Sequence, residues 1–451
     1  MEGGVATAGP FPQVISPTWV SGRKLLALVR YDGSESVVEF SRDERNNWAG
    51  RTLLTLKEGS APASFYLWDY LHEGRSILFT SVPEACLWRY EVPSSADQRT
   101  GKEMLRVTDG VHIFKVSPDH TRAVIYGRET TMIDFRTGET VHLPDVPRYE
   151  FPFTGHASSW SPDSSHYLYQ SITGQSKNSF GIVRADTGET THTVAPDDGC
   201  AFDAVWSPDG VHVAYLLLSG AGDQFLGPND ELTPPIAHQL GILNVKTGEA
   251  TALAIPGQLI YGRPVWSPGG DRVAFAAGTV TGSRQGGFAA TTALYLASRS
   301  GPGWQVAPVT RETRGVRQVP HSWAPGGQAL AFSSWREDAR PEHTLGVVRA
   351  STASDGLHSW SDPVILGGAS QSLVWLDQRT LAAPIAGERG GQIRLLSVDG
   401  STVWTLEPGP VLNADLTLSP DGRYLACTVV TPSGQATVTT LKILPVPCGD
   451  T

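Results

Sequence analysis

Trp206-Ser207-Pro208-Asp209-Gly210, followed by the apolar run Val213-Ala214-Tyr215-Leu216-Leu217-Leu218, decides how this chain folds. The Asp-Gly pair supplies the positive φ that a tight strand-to-strand turn requires, and the proline before it fixes the turn. The apolar run after it reads as a strand. The element recurs as WSPDS from Trp160, WSPGG from Trp266 and WAPGG from Trp323, while VSPDH from Val116 and LSPDG from Leu418 replace the Trp. Weaker copies are WVSGR at Trp19, WDYLHEGR at Trp68 and WLDQR at Trp375. The nine anchors lie 43 to 60 residues apart.

Several copies continue into a further strand and a glycine turn, as in MIDFRTGETVHL, LGILNVKTGEATAL and IRLLSVDGSTVWTL. Four short strands repeated at this period form a propeller blade. The expected fold is therefore all-β, a single β-propeller of eight or nine four-stranded blades over residues 1–451. Nine is favoured, and eight follows if one weak copy is degenerate. Length alone would suggest about three domains, but no linker or composition shift divides the chain. The 48 Gly, 32 Pro and 13 Trp belong largely to turns and blade packing. The last unit offers only three strands, so the ring is expected to close through an N-terminal strand, with PQVIS at residues 12–16 as the candidate.

Trp206-Ser207-Pro208-Asp209-Gly210 and Ser419-Pro420-Asp421-Gly422-Arg423-Tyr424-Leu425-Ala426, with the weaker copies, resemble the TolB-like family of WD-like propeller repeats. Similar repeats build the propeller domains of prolyl-oligopeptidase-type and tricorn-type peptidases. The resemblance covers nearly the whole chain and implies a fold, because the motif is a structural turn; it implies little about function. Those peptidases carry their nucleophile in a separate module. Here no GxSxG elbow occurs and no segment outside the blades could build such a module. An autonomous serine peptidase is not expected.

A formal net charge of −10 disfavours a nucleic-acid partner, since no broad face would neutralise phosphates. No apolar run reaches the ~20 residues of a membrane span, and MEGGVATAGP lacks the basic start and apolar run of a secretory signal. A cytoplasmic location is the expectation. Cys86, Cys200, Cys427 and Cys448 show no CxxC spacing and read as buried thiols. No P-loop, dinucleotide fingerprint or calcium loop calls for a cofactor, and no metal is expected.

Function is sought on the upper face, where the loops between the second and third strands of a blade vary in length. Three consecutive blades carry inserts there: LSGAGDQFLGPNDELTPPIAHQ from Leu218, AGTVTGSRQGGFAATTA from Ala277 and SSWREDARPEHT from Ser333. Polar residues just before the anchors enter the same sector. His156, His321 and Asp203 are the candidate catalytic groups. Arg263, Tyr261, Gln318, Arg317 and Arg148 are the candidate ligand-binding groups. Imidazoles and a carboxylate suit acid–base work, and guanidinium grips an anion in two places. Singly, each has a blander reading as a solvated or structural channel residue, and Arg311, Arg314 and Arg317 as an exposed run.

Three readings stand open. One is a stand-alone propeller binding a small anionic ligand or peptide, with room for lyase, isomerase or hydrolase chemistry. Another is a protein-interaction scaffold using the loops of the Trp206, Trp266 and Trp323 blades, with Phe225 and Trp335 as apolar loop residues. A third is a carbohydrate-active propeller with Tyr261, Phe151 and Phe153 as platforms.

Overall fold

The repeated serine, more than the proline, holds each turn together in the computed structural model. Ser117, Ser161, Ser207, Ser267 and Ser419 are all buried. Each hydroxyl donates to the turn aspartate, at 2.5 to 2.8 Å for Asp119, Asp163, Asp209, Asp271 and Asp421. Each also accepts the backbone N–H five residues on, where the next strand begins. The fourth turn position is left-handed whatever residue fills it: φ is +68° at Gly210 and +70° at Gly422, but also +53° at His120 and +61° at Ser164.

Strands joined by these turns form nine four-stranded antiparallel blades arranged as a β-propeller. We number the blades from the N-terminus and letter their strands A to D from the channel outward. The A strands are Gln13–Ser21, Ser64–Leu71, Ile113–Val116, Ser159–Trp160, Gly199–Trp206, Leu259–Trp266, Val316–Trp323, Val374–Trp375 and Ala414–Leu418. The residues described are 6–446 except 12, 32–33, 58–63, 83–84, 94–103, 112, 148–158, 173–177, 198, 220–235, 284–286, 302, 337–342, 353–357, 369–372, 386–390, 412–413 and 434–435.

The ring closes through an N-terminal strand, as the short last repeat requires. Ala6–Phe11 pairs antiparallel with Ala436–Pro445, the C strand of blade 9, with Ala6 opposite Ile443 and Phe11 opposite Thr439. The segment differs from the expected one. Residues 13–16 of PQVIS belong to strand A of blade 1, where Gln13 pairs with Arg30. That strand had to reach back past Trp19 to span the channel wall, so closure falls to the residues before it.

Adjacent blades are locked by the anchor tryptophans in one direction around the ring. The indole N–H of Trp160, Trp206, Trp266 and Trp323 donates to a backbone carbonyl just before the preceding anchor, Lys115, Ser159, Val205 and Val265, at 2.9 to 3.2 Å. Trp19 reaches Thr417 and Trp375 reaches Ser322 in the same manner. Blade 2 corrects the reading of its anchor. Tyr70, not Trp68, pairs in the anchor register, opposite Ile77, and its hydroxyl bonds the Trp19 carbonyl at 3.2 Å. In blade 3, where Val116 replaces the Trp, His120 stacks on Tyr70 at 4.0 Å and places Nδ1 3.1 Å from the Tyr70 carbonyl. Between the blades lie apolar layers such as Phe202, Leu216 and Ile242 against Trp266 and Phe275.

Burial by itself raises the Asp119, Asp163, Asp271 and Asp421 carboxyls, but hydrogen bonds from the motif serine and neighbouring donors outweigh it and hold each below the ordinary value. A depressed carboxyl contributes stability above its unfolded value, and that stability is lost as pH falls through the folded one. The thermal midpoint is therefore expected to fall steeply below about pH 4. Asp163→Asn should flatten that acid limb, and a midpoint independent of pH from 5 to 2 would exclude the effect.

Cys86, Cys200 and Cys427 are buried, while Cys448 lies outside the described residues. No helix among the described residues is long and apolar enough to cross a membrane.

Candidate ligand site

The three inserts do lie between strands B and C of blades 5, 6 and 7, but they take different forms. In blade 6 the insert is a continuation of the sheet. Strands Arg272–Ser283 and Gly287–Ser300 stay paired to Ser283 opposite Gly287. In blade 5, Ile236–Ala237 forms a short extra strand on the inner edge of blade 6, with Ile236 opposite Tyr261. In blade 7, Trp335 is not at a loop tip. It sits in strand B opposite Arg317, with its ring 5.0 Å from that of His343. Phe225 and most residues of the blade 5 insert lie outside the described residues.

Strand A breaks register in each of these blades. Pairing skips from Phe202 to Val205, from Tyr261 to Val265, and from Pro320 to Ser322. Asp203, Arg263 and His321 fall within the skipped segments. Such bulges bend a strand and re-aim its side chains, and they are enriched beside functional sites. Asp203 holds a left-handed φ of +50°, which an aspartate tolerates better than most residues, and Gly262 holds +75°.

Two pairs of candidate residues come together across blade boundaries. Asp203 of blade 5 and Arg263 of blade 6 feel each other's charge. Burial drives the Asp203 carboxyl up from its ordinary value, and Arg263 offsets only part of this. Burial likewise lowers the Arg263 guanidinium, offset in part by Asp203. Arg263 Nε is buried with no hydrogen-bond partner among the described residues. In the second pair, Arg317 of blade 7 donates to the Tyr261 hydroxyl of blade 6 at 2.7 Å. Its guanidinium lies 5.1 Å from the centre of the Tyr261 ring and 6.0 Å from that of Trp335. Burial pushes the Tyr261 hydroxyl up, against the pull of Arg317.

The other candidates have different surroundings. Gln318 turns toward the outer part of blade 6. Its Oε1 accepts from Thr310 Oγ1 at 2.6 Å and its Nε2 donates to the Arg311 carbonyl. Its backbone is gripped on both sides by the Thr292 hydroxyl. His321 places Nδ1 3.2 Å from Ser322 Oγ, which also receives the Trp375 indole. Arg311 and Arg314 are exposed. His156 and Arg148, like Phe151 and Phe153, lie outside the described residues. Among the described residues no group of three or more His, Cys, Asp or Glu could hold a metal ion.

No protein-family model matches the sequence, and no curated protein does. Solved structures are similar in shape. The tricorn protease aligns at 11% identity and TM-score 0.40, covering 96% of this chain and 42% of that one. Porphyromonas gingivalis dipeptidyl peptidase 4 aligns at 12% and 0.49, covering 94% and 65%. A TolB from Agrobacterium tumefaciens aligns at 16% and 0.32, covering 76% and 95%. This chain thus spans less than half the length of the tricorn chain. The fold assignment rests on this chain's own strand topology, and nothing those proteins act on is carried over.

Proposed function

We propose that this chain is a ligand-binding propeller that takes a small anionic molecule at the inner strands of blades 5 to 7. The observation that supports it most is the buried Arg263 Nε, which has no hydrogen-bond partner among the described residues and lies beside a carboxyl that burial drives upward. Buried polar atoms are nearly always paired, and perturbed ionisable groups cluster at functional sites. An anionic ligand would supply the missing acceptor for Arg263, with Arg317 and Tyr261 nearby; Arg148, outside the described residues, is a further proposed contact. Gln318 would support the strand that carries Arg317.

If the site is catalytic, Asp203 is the proposed acid–base group, its carboxyl raised by burial in the direction a general acid needs. His156 and His321 are its proposed partners in a lyase, isomerase or hydrolase step. The scaffold reading gains little here, since many of the insert residues on which it depends lie outside the described set.

Thermal unfolding with inorganic phosphate, oxalate, malate and citrate tests the anion. A ligand at 100 times its Kd stabilises by about 2.7 kcal/mol, so at least one should raise the wild-type midpoint clearly and leave Arg263→Gln unmoved. Indifference of the wild type to all four, or a shift that survives in the variant, overturns the reading.

A further inference from the structure

A separate cavity of about 370 Å³ opens at the turn end of blades 2 to 4, sharing no residue with the Arg263 sector. Its size lies within the range of small-molecule pockets. It is walled by Trp68 and Asp69 of blade 2, Phe114, Lys115 and His120 of blade 3, and Trp160 of blade 4. Three of these six are aromatic, and Phe114 and Trp160 are largely buried in the ring.

The polar groups there favour a donor. Asp69 accepts the Tyr70 N–H at 2.7 Å through Oδ1, and a carboxylate has acceptor capacity beyond one such bond. Burial raises this carboxyl, and the Tyr70 amide and His120 only partly offset that. Lys115 also lines the cavity, and its backbone carbonyl is taken by the Trp160 indole. His120 Nδ1 donates to the Tyr70 carbonyl.

We propose that this cavity binds a small primary amine, its ammonium bonded to Asp69 and its apolar body lying against Trp68, Phe114 and Trp160. An ammonium brings three donors and a positive charge to a desolvated carboxylate, and aromatic faces attract cations further. The cavity is too small for a folded partner, which is why the ligand is a small molecule.

Phenethylamine is the probe, with 2-phenylethanol and phenylacetate as its neutral and anionic counterparts, in calorimetric titrations at pH 8. Phenethylamine should bind with a Kd of about 1 mM or tighter and at least tenfold better than either counterpart. Asp69→Asn keeps an acceptor for the Tyr70 amide and should cost at least tenfold in affinity with an unchanged thermal midpoint. Because burial raises the Asp69 carboxyl, affinity should fall on acidification while the amine stays cationic. His120 and Lys115 are the other ionisable groups lining the cavity.

Equal binding of the alcohol or the acid overturns the proposal, as does unchanged affinity in Asp69→Asn or no binding of the amine. If that variant fails to fold, the probe comparison and pH profile of the wild type decide. A negative result here leaves the Arg263 site untouched, and the anion panel leaves this one untouched.

Discussion

Trp266→Ala is expected to destabilise the ring by about 3 to 5 kcal/mol, the usual cost of truncating a buried aromatic. Trp266 is 8% exposed and packs between blades 5 and 6, edge-on to Trp304 at 5.8 Å and 6.1 Å from the His212 ring. Its removal leaves a void in the apolar layer and leaves the Val205 carbonyl without its 3.1 Å donor. Trp266→Phe separates the two effects. It keeps much of the packing and deletes the N–H, so it should cost about 1 to 3 kcal/mol. Urea unfolding of the three proteins measures both steps. Equal losses in the two variants would mean that the hydrogen bond, and not the bulk of the ring, holds this boundary.

Deleting residues 1–11 is the second large effect, on the order of 4 kcal/mol from lost strand pairing and newly exposed apolar surface. Blade 9 would lose its outer strand, leaving Ala436–Pro445 as an unpaired edge. Leu441 and Ile443 in that strand are buried. Unpaired edges recruit other chains, so the truncated protein should melt earlier and sediment as a concentration-dependent oligomer. A synthetic peptide of residues 1–12 should restore the midpoint. An unchanged midpoint in the truncated protein would show that the Trp19 indole bond to Thr417 and the surrounding core suffice to close the ring.

The blades were legible because a tight turn demands particular residues, and WSPDG announces that demand at nearly fixed spacing. Register was less legible where the copy was degraded. Trp68 is more conspicuous than Tyr70, yet only Tyr70 pairs where an anchor must, opposite the second residue of strand B. The role of the serine was also missed, although its recurrence in five copies was visible and its burial explains it. In the site, Asp203 and Arg263 each stand three residues before their anchors on adjacent inner strands, which explains their meeting; Tyr261 and Arg317 stand five and six before theirs, and spacing alone did not announce that contact. Offsets could not foretell that Gln318 would turn to Thr310, since that depends on the connection that follows the outer strand Gly303–Pro308 of the previous blade. Asp69 and His120 escaped notice because they sit in copies of the repeat that depart from WSPDG. The signal for His120 was its place in VSPDH, where four other copies carry glycine.

Closure by the first strand also sets an order in time. Ala6–Phe11 finds its partner only when Ala436–Pro445 has been made, so on the ribosome it waits through the synthesis of nearly all the intervening chain. Contacts that distant in sequence are slow to form. The growing chain therefore carries an open arc with two unsatisfied ends, and blade 9 is the last to be completed. Its rate of completion, more than the stability of any one blade, would govern how much of the protein escapes aggregation at birth.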